Sequence, residues 1–275
     1  MSRPAAGTPR PLGTVLYVPL LYGAGWLLSR PLTLLAPNWR PDQVDLAGAV
    51  IALALLLFSL PLRLRRVWND THPWRRLGLA AGSPGTRASG FLHGVLVAGA
   101  LLTPVAGVLL LSGQAQWRGA LSPALLANGL ALLLGVGFAE ELLFRGWLWG
   151  ELELLLPRRR ALVLQALLFG LVHPWHRLAL LPGLALLGGL TLLGLALALQ
   201  RRQLNGNLWG SVGLHGGLVG GWFLIQKGLL DLQAGAPSWL VGPGEGDVNP
   251  IGGLLGWLGL GLLLLALRPS RGAQE

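Results

Sequence analysis

The chain has 275 residues, of which 53% are hydrophobic and 12% charged, with a mean hydropathy of +0.60 and a formal net charge of +10. This lacks the charged surface of a water-soluble domain and describes an all-α integral membrane protein. The basic residues flank apolar runs and form no aromatic-flanked patch, which excludes a nucleic-acid partner; the absence of cysteine excludes disulfides and thiolate metal sites.

Windows of about 20 apolar residues predict about eight transmembrane helices, at 12–29, 44–62, 90–111, 123–145, 161–176, 178–199, 207–226 and 251–267. The first has no small-residue cleavage site after it and reads as a retained anchor. Between the second and third lies a polar, turn-rich loop, 63–87, and before the last a Gly- and Pro-rich loop, 231–250. Neither is large enough for a separate domain, so 1–275 reads as a single polytopic unit. No internal repeat is visible, which disfavours transporter folds built on inverted repeats.

Basic residues fall on alternate loops. Arg3 and Arg10 precede the first span, Arg63, Arg65, Arg66, Arg75, Arg76 and Arg87 separate the second from the third, and Arg158, Arg159 and Arg160 follow the fourth. Arg201 and Arg202 follow the sixth, and Arg268 and Arg271 the last. The positive-inside bias then places both termini in the cytoplasm, and these arginines read as topology signals and nothing more.

The fourth span runs into "GFAEELLFRGWLWG", residues 137–150. Each carboxylate at the centre of a membrane helix costs about 2.5–3.5 kcal/mol, so Glu140 and Glu141 require compensation. Arg145 lies four residues after Glu141, in the favourable order for an ion pair on one helical face. Glu140 is turned about 100° away and needs a partner from another helix. Candidates are His173, ending "LLFGLVH" with Phe169 one turn earlier, and His215 in "LWGSVGLHGG". At about 1.5 Å per residue from the flanking arginines, both histidines lie about 20 Å into their spans and the glutamates about 25 Å. The expectation is a buried polar site among the fourth, fifth and seventh spans. The glycines of "GGLVGG" (216–221), four apart, read as a helix-packing face.

These stretches also resemble a family. "EELLFR" fits an EExxxR motif, "FGLVH" an FxxxH motif, and "LWGSVGLHGG" is similar to the third, histidine-containing motif of the CPBP (CAAX protease and bacteriocin-processing, Rce1/Abi-like) intramembrane proteases, in the family's order across 122–226. The resemblance implies a catalytic core there, with Glu140, Glu141, His173 and His215 catalytic and Arg145 and Phe169 supporting. One position departs: Val219 stands where the family commonly has an asparagine that helps hold the oxyanion, and valine cannot donate a hydrogen bond. His215 then acts without that donor, or Trp209 or Ser211 supplies one.

With no thiol and no serine elbow, water must be the nucleophile. In one mechanism Glu140 is the general base, His173 orients or shares the proton, His215 faces the oxyanion, and Glu141 with Arg145 holds the helix. In the other, Glu140, His173 and His215 bind a catalytic zinc and Glu141 is the base, although the one-helix HExxH signature is absent. The cofactor is therefore none or zinc. The implied partners are the lipid bilayer and a peptide or membrane-protein substrate, lipidated or not; no oligomeric state follows from the sequence. The alternatives are a catalytically impaired member acting as a membrane scaffold or immunity protein, and a small transporter.

Overall fold

The computed structural model describes residues 9–233, 235–244 and 248–268. Arg3 and Arg271, part of the orientation argument, lie outside the described residues. Eight helices correspond to the predicted spans: α1 (Pro11–Ser29), α2 (Pro41–Val67), α3 (Pro84–Leu111), α4 (Pro123–Leu155), α5 (Arg158–Leu171), α6 (Leu180–Gln203), α7 (Leu208–Leu229) and α8 (Leu254–Ala266). Proline occupies the first turn of α1, α2, α3 and α4, where its missing N–H costs nothing and its fixed φ suits a helix start. Ser83 and Ser122 cap α3 and α4, accepting the N–H groups of Thr86 and Leu125, and Asn207 caps α7 by accepting from Trp209.

Among the described residues six helices are long and apolar enough to cross a bilayer: α1 with its continuation to Leu35, α2, α3, α4, α6 and α7. The expected eight full spans are corrected at two places. α5 and α8 have 14 and 13 residues, about 21 and 20 Å of helix against a hydrocarbon core of about 30 Å. Arg158, Arg159 and Arg160 take up the first turn of α5, and His173-Pro174 ends it. α8 begins only after a tight turn at Pro250–Gly252. Conversely, α4 runs ten residues beyond its expected end at Arg145, because nothing breaks the helix before Pro157.

Large apolar side chains such as Leu20, Phe58, Leu96 and Leu111 are exposed on the outer helix faces, as lipid contact requires. α7 is the central helix: 67% of its most apolar window is buried, against 17% for α1. It packs most extensively on α3, while α1 packs on α2 and α6 on α5. Small residues make this approach possible. A Cβ on Gly213 would overlap the Phe91 carbonyl of α3, and one on Gly216 the Leu133 carbonyl of α4. The "GGLVGG" glycines are thus a packing face between two neighbours.

One element lies outside an all-helical description. Residues Ala115–Trp117 (β1) and Leu230–Leu232 (β2) pair antiparallel, with Gln116 opposite Asp231, and tie the end of α3 to the end of α7. Arg118 bridges to Asp231 at 2.8 Å beside this pair.

Candidate active site

Two π-helical turns, Leu132–Val136 and Leu142–Leu148, interrupt α4 on either side of Gly137–Glu141. Such wide turns re-aim the side chains that follow them and recur at functional sites. At Gly137 the backbone lies against Gly216 of α7, leaving no room for a Cβ on either. This contact puts the acidic turn of α4 beside His215.

Glu141 is fully buried. Its Oε1 accepts from Arg145 Nη1 at 2.8 Å and lies 2.9 Å from His215 Nδ1. Arg145 is also fully buried, with its guanidinium 4.1 Å from the Phe169 ring centroid. Phe169 in turn stands edge-on to Phe144 at 5.1 Å and to His215 at 5.5 Å. The cation is therefore paired with a carboxylate on one side and an aromatic face on the other.

His173 was expected inside the fifth span. The structure corrects this: α5 ends at Leu171, and His173 sits just beyond in extended backbone (φ −81°, ψ 158°), the conformation favoured before Pro174. Its Nδ1 donates to the Phe169 carbonyl at 2.6 Å, which leaves Nε2 facing Glu140. Glu140 Oε2 lies 3.7 Å from His173 Nε2 and 3.9 Å from His215 Nε2. These separations exceed a direct hydrogen bond. Oε2 is shielded from solvent and has no hydrogen-bond partner among the described residues. The Glu140 and His173 side chains as wholes remain 30% and 25% exposed, whereas Glu141 and Arg145 behind them are sealed.

The donors considered in place of an asparagine at Val219 are committed elsewhere. Trp209 Nε1 donates to the Leu79 carbonyl at 3.0 Å and Ser211 Oγ to the Leu197 carbonyl at 2.9 Å. Val219 is half-buried on α7. For a metal, the tautomers are suitable: each histidine has Nδ1 held by an oxygen and Nε2 turned toward Glu140. The spacing is not. Among the described residues no group of three or more His, Asp or Glu is placed to hold a metal ion.

A second buried carboxylate escaped the sequence reading. Glu151, six residues beyond Arg145 on α4, is fully buried and accepts from Trp68 Nε1 at 2.7 Å, Trp147 Nε1 at 3.0 Å and Thr14 Oγ1 at 3.0 Å, and it pairs with Arg63. Its donors come from α1, α2 and the residue just after α2 as well as α4. Arg63 is therefore not only a topology signal, and neither is Arg201, which is buried and donates to the backbone carbonyl of Arg145. The signal available in the sequence was Trp147–Glu151, four apart on a helix with no breaker before Pro157.

The bundle thus holds two adjacent glutamates against two histidines from separate segments. Residues 122–220 match the family model described as type II CAAX prenyl endopeptidase Rce1-like. The matched stretch takes in Glu140, Glu141, Arg145, Phe169, His173 and His215. Residues 2–72 match a domain of unknown function (DUF8676). No curated protein and no solved structure gives a match.

Proposed function

We propose that the chain is an intramembrane endopeptidase in which Glu140 activates a water molecule for attack on a peptide bond. The observation that carries this is the position of Glu140 Oε2, without a hydrogen-bond partner among the described residues and facing the Nε2 atoms of His173 and His215 at 3.7 and 3.9 Å. A water hydrogen-bonded to Oε2 is within reach of both imidazoles. Glu140 takes a proton from it as its oxygen bonds to the scissile carbonyl carbon. His173, fixed by the Phe169 carbonyl, shares that proton and passes it to the leaving nitrogen as the C–N bond breaks. His215, anchored at Nδ1 by Glu141, stabilises the oxyanion from Nε2 when protonated there. The Glu141–Arg145 pair holds His215 and the acidic turn in place.

Because the three donors are not placed to hold an ion, no step is derived through a metal. The orientation implied by the basic loops, with termini in the cytoplasm, is part of the same reading. The substrate class is a peptide segment reached at the membrane, lipidated or not. The test is cleavage of a mixed peptide and lipopeptide panel by detergent-purified protein, with and without a zinc chelator. Cleavage that persists under chelation supports the metal-free route; loss on chelation with recovery on added zinc contradicts it.

One observation favours a second reading. Trp209 and Ser211 are both committed to backbone carbonyls, so no side chain proposed to replace the Val219 donor is free. A weakened enzyme acting chiefly as a membrane scaffold or immunity protein fits that feature. Such a scaffold keeps its biological role in the Glu140→Gln variant, whereas a protease loses it.

A further inference from the structure

At the arginine-rich end of the bundle, away from the Glu140 centre, the ends of α2, α4, α5 and α6 enclose a cavity of about 310 Å³. Arg76, Arg158, Arg201 and Arg202 line it, and Glu153 is the one acid among its lining residues, so four positive charges meet one negative and three remain uncompensated. Among the described residues none of these four arginines forms an ion pair with a carboxylate. Topology alone asks only that arginines be near this surface; it does not ask four of them to converge on a concavity.

The cavity is built on fixed parts. Arg201 is 9% exposed, and its guanidinium donates to the backbone carbonyls of Arg145, Arg76 and Gly206. The loop carrying Arg76 is pinned in place, because Gly78 accepts from the Leu208 N–H and Leu79 from the Trp209 indole. Arg158 opens α5, whose N-terminus has no side-chain cap and so adds its own positive field. A separate observation points to an acceptor ligand. Trp149 lines the same cavity and is 6% exposed, and its indole N–H is buried with no hydrogen-bond partner among the described residues. An indole N–H can only donate, and a buried donor without an acceptor is costly. What would satisfy the guanidinium groups is an anion with several acceptor oxygens, and the unpaired indole N–H lies in the wall of the same cavity.

We infer that this cavity binds a phosphate group, with Arg76, Arg158 and Arg202 as its exposed ligands and Arg201 and Trp149 as its buried floor. Arginine pairs two oxygens of a phosphate at once, which suits planar guanidinium groups arranged around a tetrahedral anion. The sequence reading places this end at the cytoplasmic membrane surface, where the headgroup of an anionic phospholipid supplies such a group; free phosphate offers the same chemistry.

The experiment uses the full chain purified in detergent. Native mass spectrometry compares retention of phosphatidylglycerol with that of phosphatidylcholine, and thermal unfolding is followed in inorganic phosphate against chloride. The variants are Arg158→Gln with Arg202→Gln, both exposed and without an ion pair among the described residues; Trp149→Phe, which keeps the ring and removes the N–H; and Arg65→Gln with Arg87→Gln, which removes equal charge outside the cavity. The expected result is retention of phosphatidylglycerol over phosphatidylcholine by about tenfold or more. That preference is lost in the Arg158/Arg202 variant, weakened in Trp149→Phe and kept in the Arg65/Arg87 variant. Stabilisation by inorganic phosphate alone, lost in the same variants, supports the site with a free anion as its source. Equal lipid retention by the wild type and the Arg158/Arg202 variant, with no response to inorganic phosphate, overturns the proposal.

Discussion

His215 Nδ1 lies 2.9 Å from Glu141 Oε1, the same oxygen that accepts from Arg145 at 2.8 Å. One buried carboxylate oxygen therefore anchors both the local arginine and a histidine from the central helix. The arrangement explains how the chain accepts an adjacent acid pair in an apolar helix. Glu141 is neutralised inside the bundle, while Glu140 is left for the open side.

Arg145→Ala removes the arginine that pairs with Glu141 and leaves that carboxylate buried with His215 as its remaining partner among the described residues. Breaking one half of a buried pair costs about 3–5 kcal/mol. Thermal unfolding in detergent should show a large drop in midpoint. A midpoint close to that of the wild type would mean that the pair does not hold the turn.

Glu151 predicts a separation of stability from chemistry. Its partners Thr14, Arg63 and Trp68 come from the region of the first two helices, and Trp147 from its own. Glu151→Ala leaves Arg63 charged without its partner and should likewise destabilise by about 3–5 kcal/mol. Limited proteolysis should show the first two helices loosened, while cleavage per folded molecule stays near wild type. Loss of cleavage at full stability would place Glu151 in the chemistry instead.

The helix-packing account separates glycines by position. Gly216→Ala forces a Cβ into the Leu133 carbonyl, and Gly213→Ala forces one into that of Phe91, so either must push α7 off its neighbours. Gly99, on α3, has nothing within 4 Å of its added Cβ. Gly99→Ala should be neutral or stabilising by up to about 1 kcal/mol, and both α7 variants should unfold at lower temperature. Equal midpoints for the three would remove the case for close approach.

Val219→Asn tests the missing donor. If the absence of a side-chain donor limits the oxyanion step, the asparagine should raise kcat, by an amount bounded by the roughly 10²–10³-fold that one such donor contributes elsewhere. An unchanged kcat would mean that the backbone or His215 already suffices.

Much of the site was legible because charge in an apolar helix is conspicuous. Glu140, Glu141, Arg145, His173 and His215 stand out against leucine and glycine, and the spacing of Glu141 and Arg145 already implied their pairing. The starts of four helices were equally open to reading in Pro11, Pro41, Pro84 and Pro123. Hydropathy ended α4 at Arg145, yet that residue is buried by its partner and the helix continues to Leu155, which hid Glu151. The π-helical turns around Gly137–Glu141 depend on packing against α7, and no local pattern announces them. β1 and β2 are three residues each, paired across more than 100 positions of chain, so neither carries a usable period. Arg63, half-buried, and Arg201, buried, were readable as charges near a membrane surface but not as partners of Glu151 and of the Arg145, Arg76 and Gly206 carbonyls, since most of those acceptors are distant in sequence.

The most direct measurement is cleavage by Glu140→Gln against wild type, at matched purity and with unfolding midpoints recorded for both. Among the described residues Glu140 Oε2 has no hydrogen-bond partner to lose, so the variant should fold with a midpoint near that of the wild type while kcat falls by about 10²–10⁴, the range for removing a general base. Wild-type cleavage by a folded Glu140→Gln protein would contradict the central claim that this glutamate activates the attacking water.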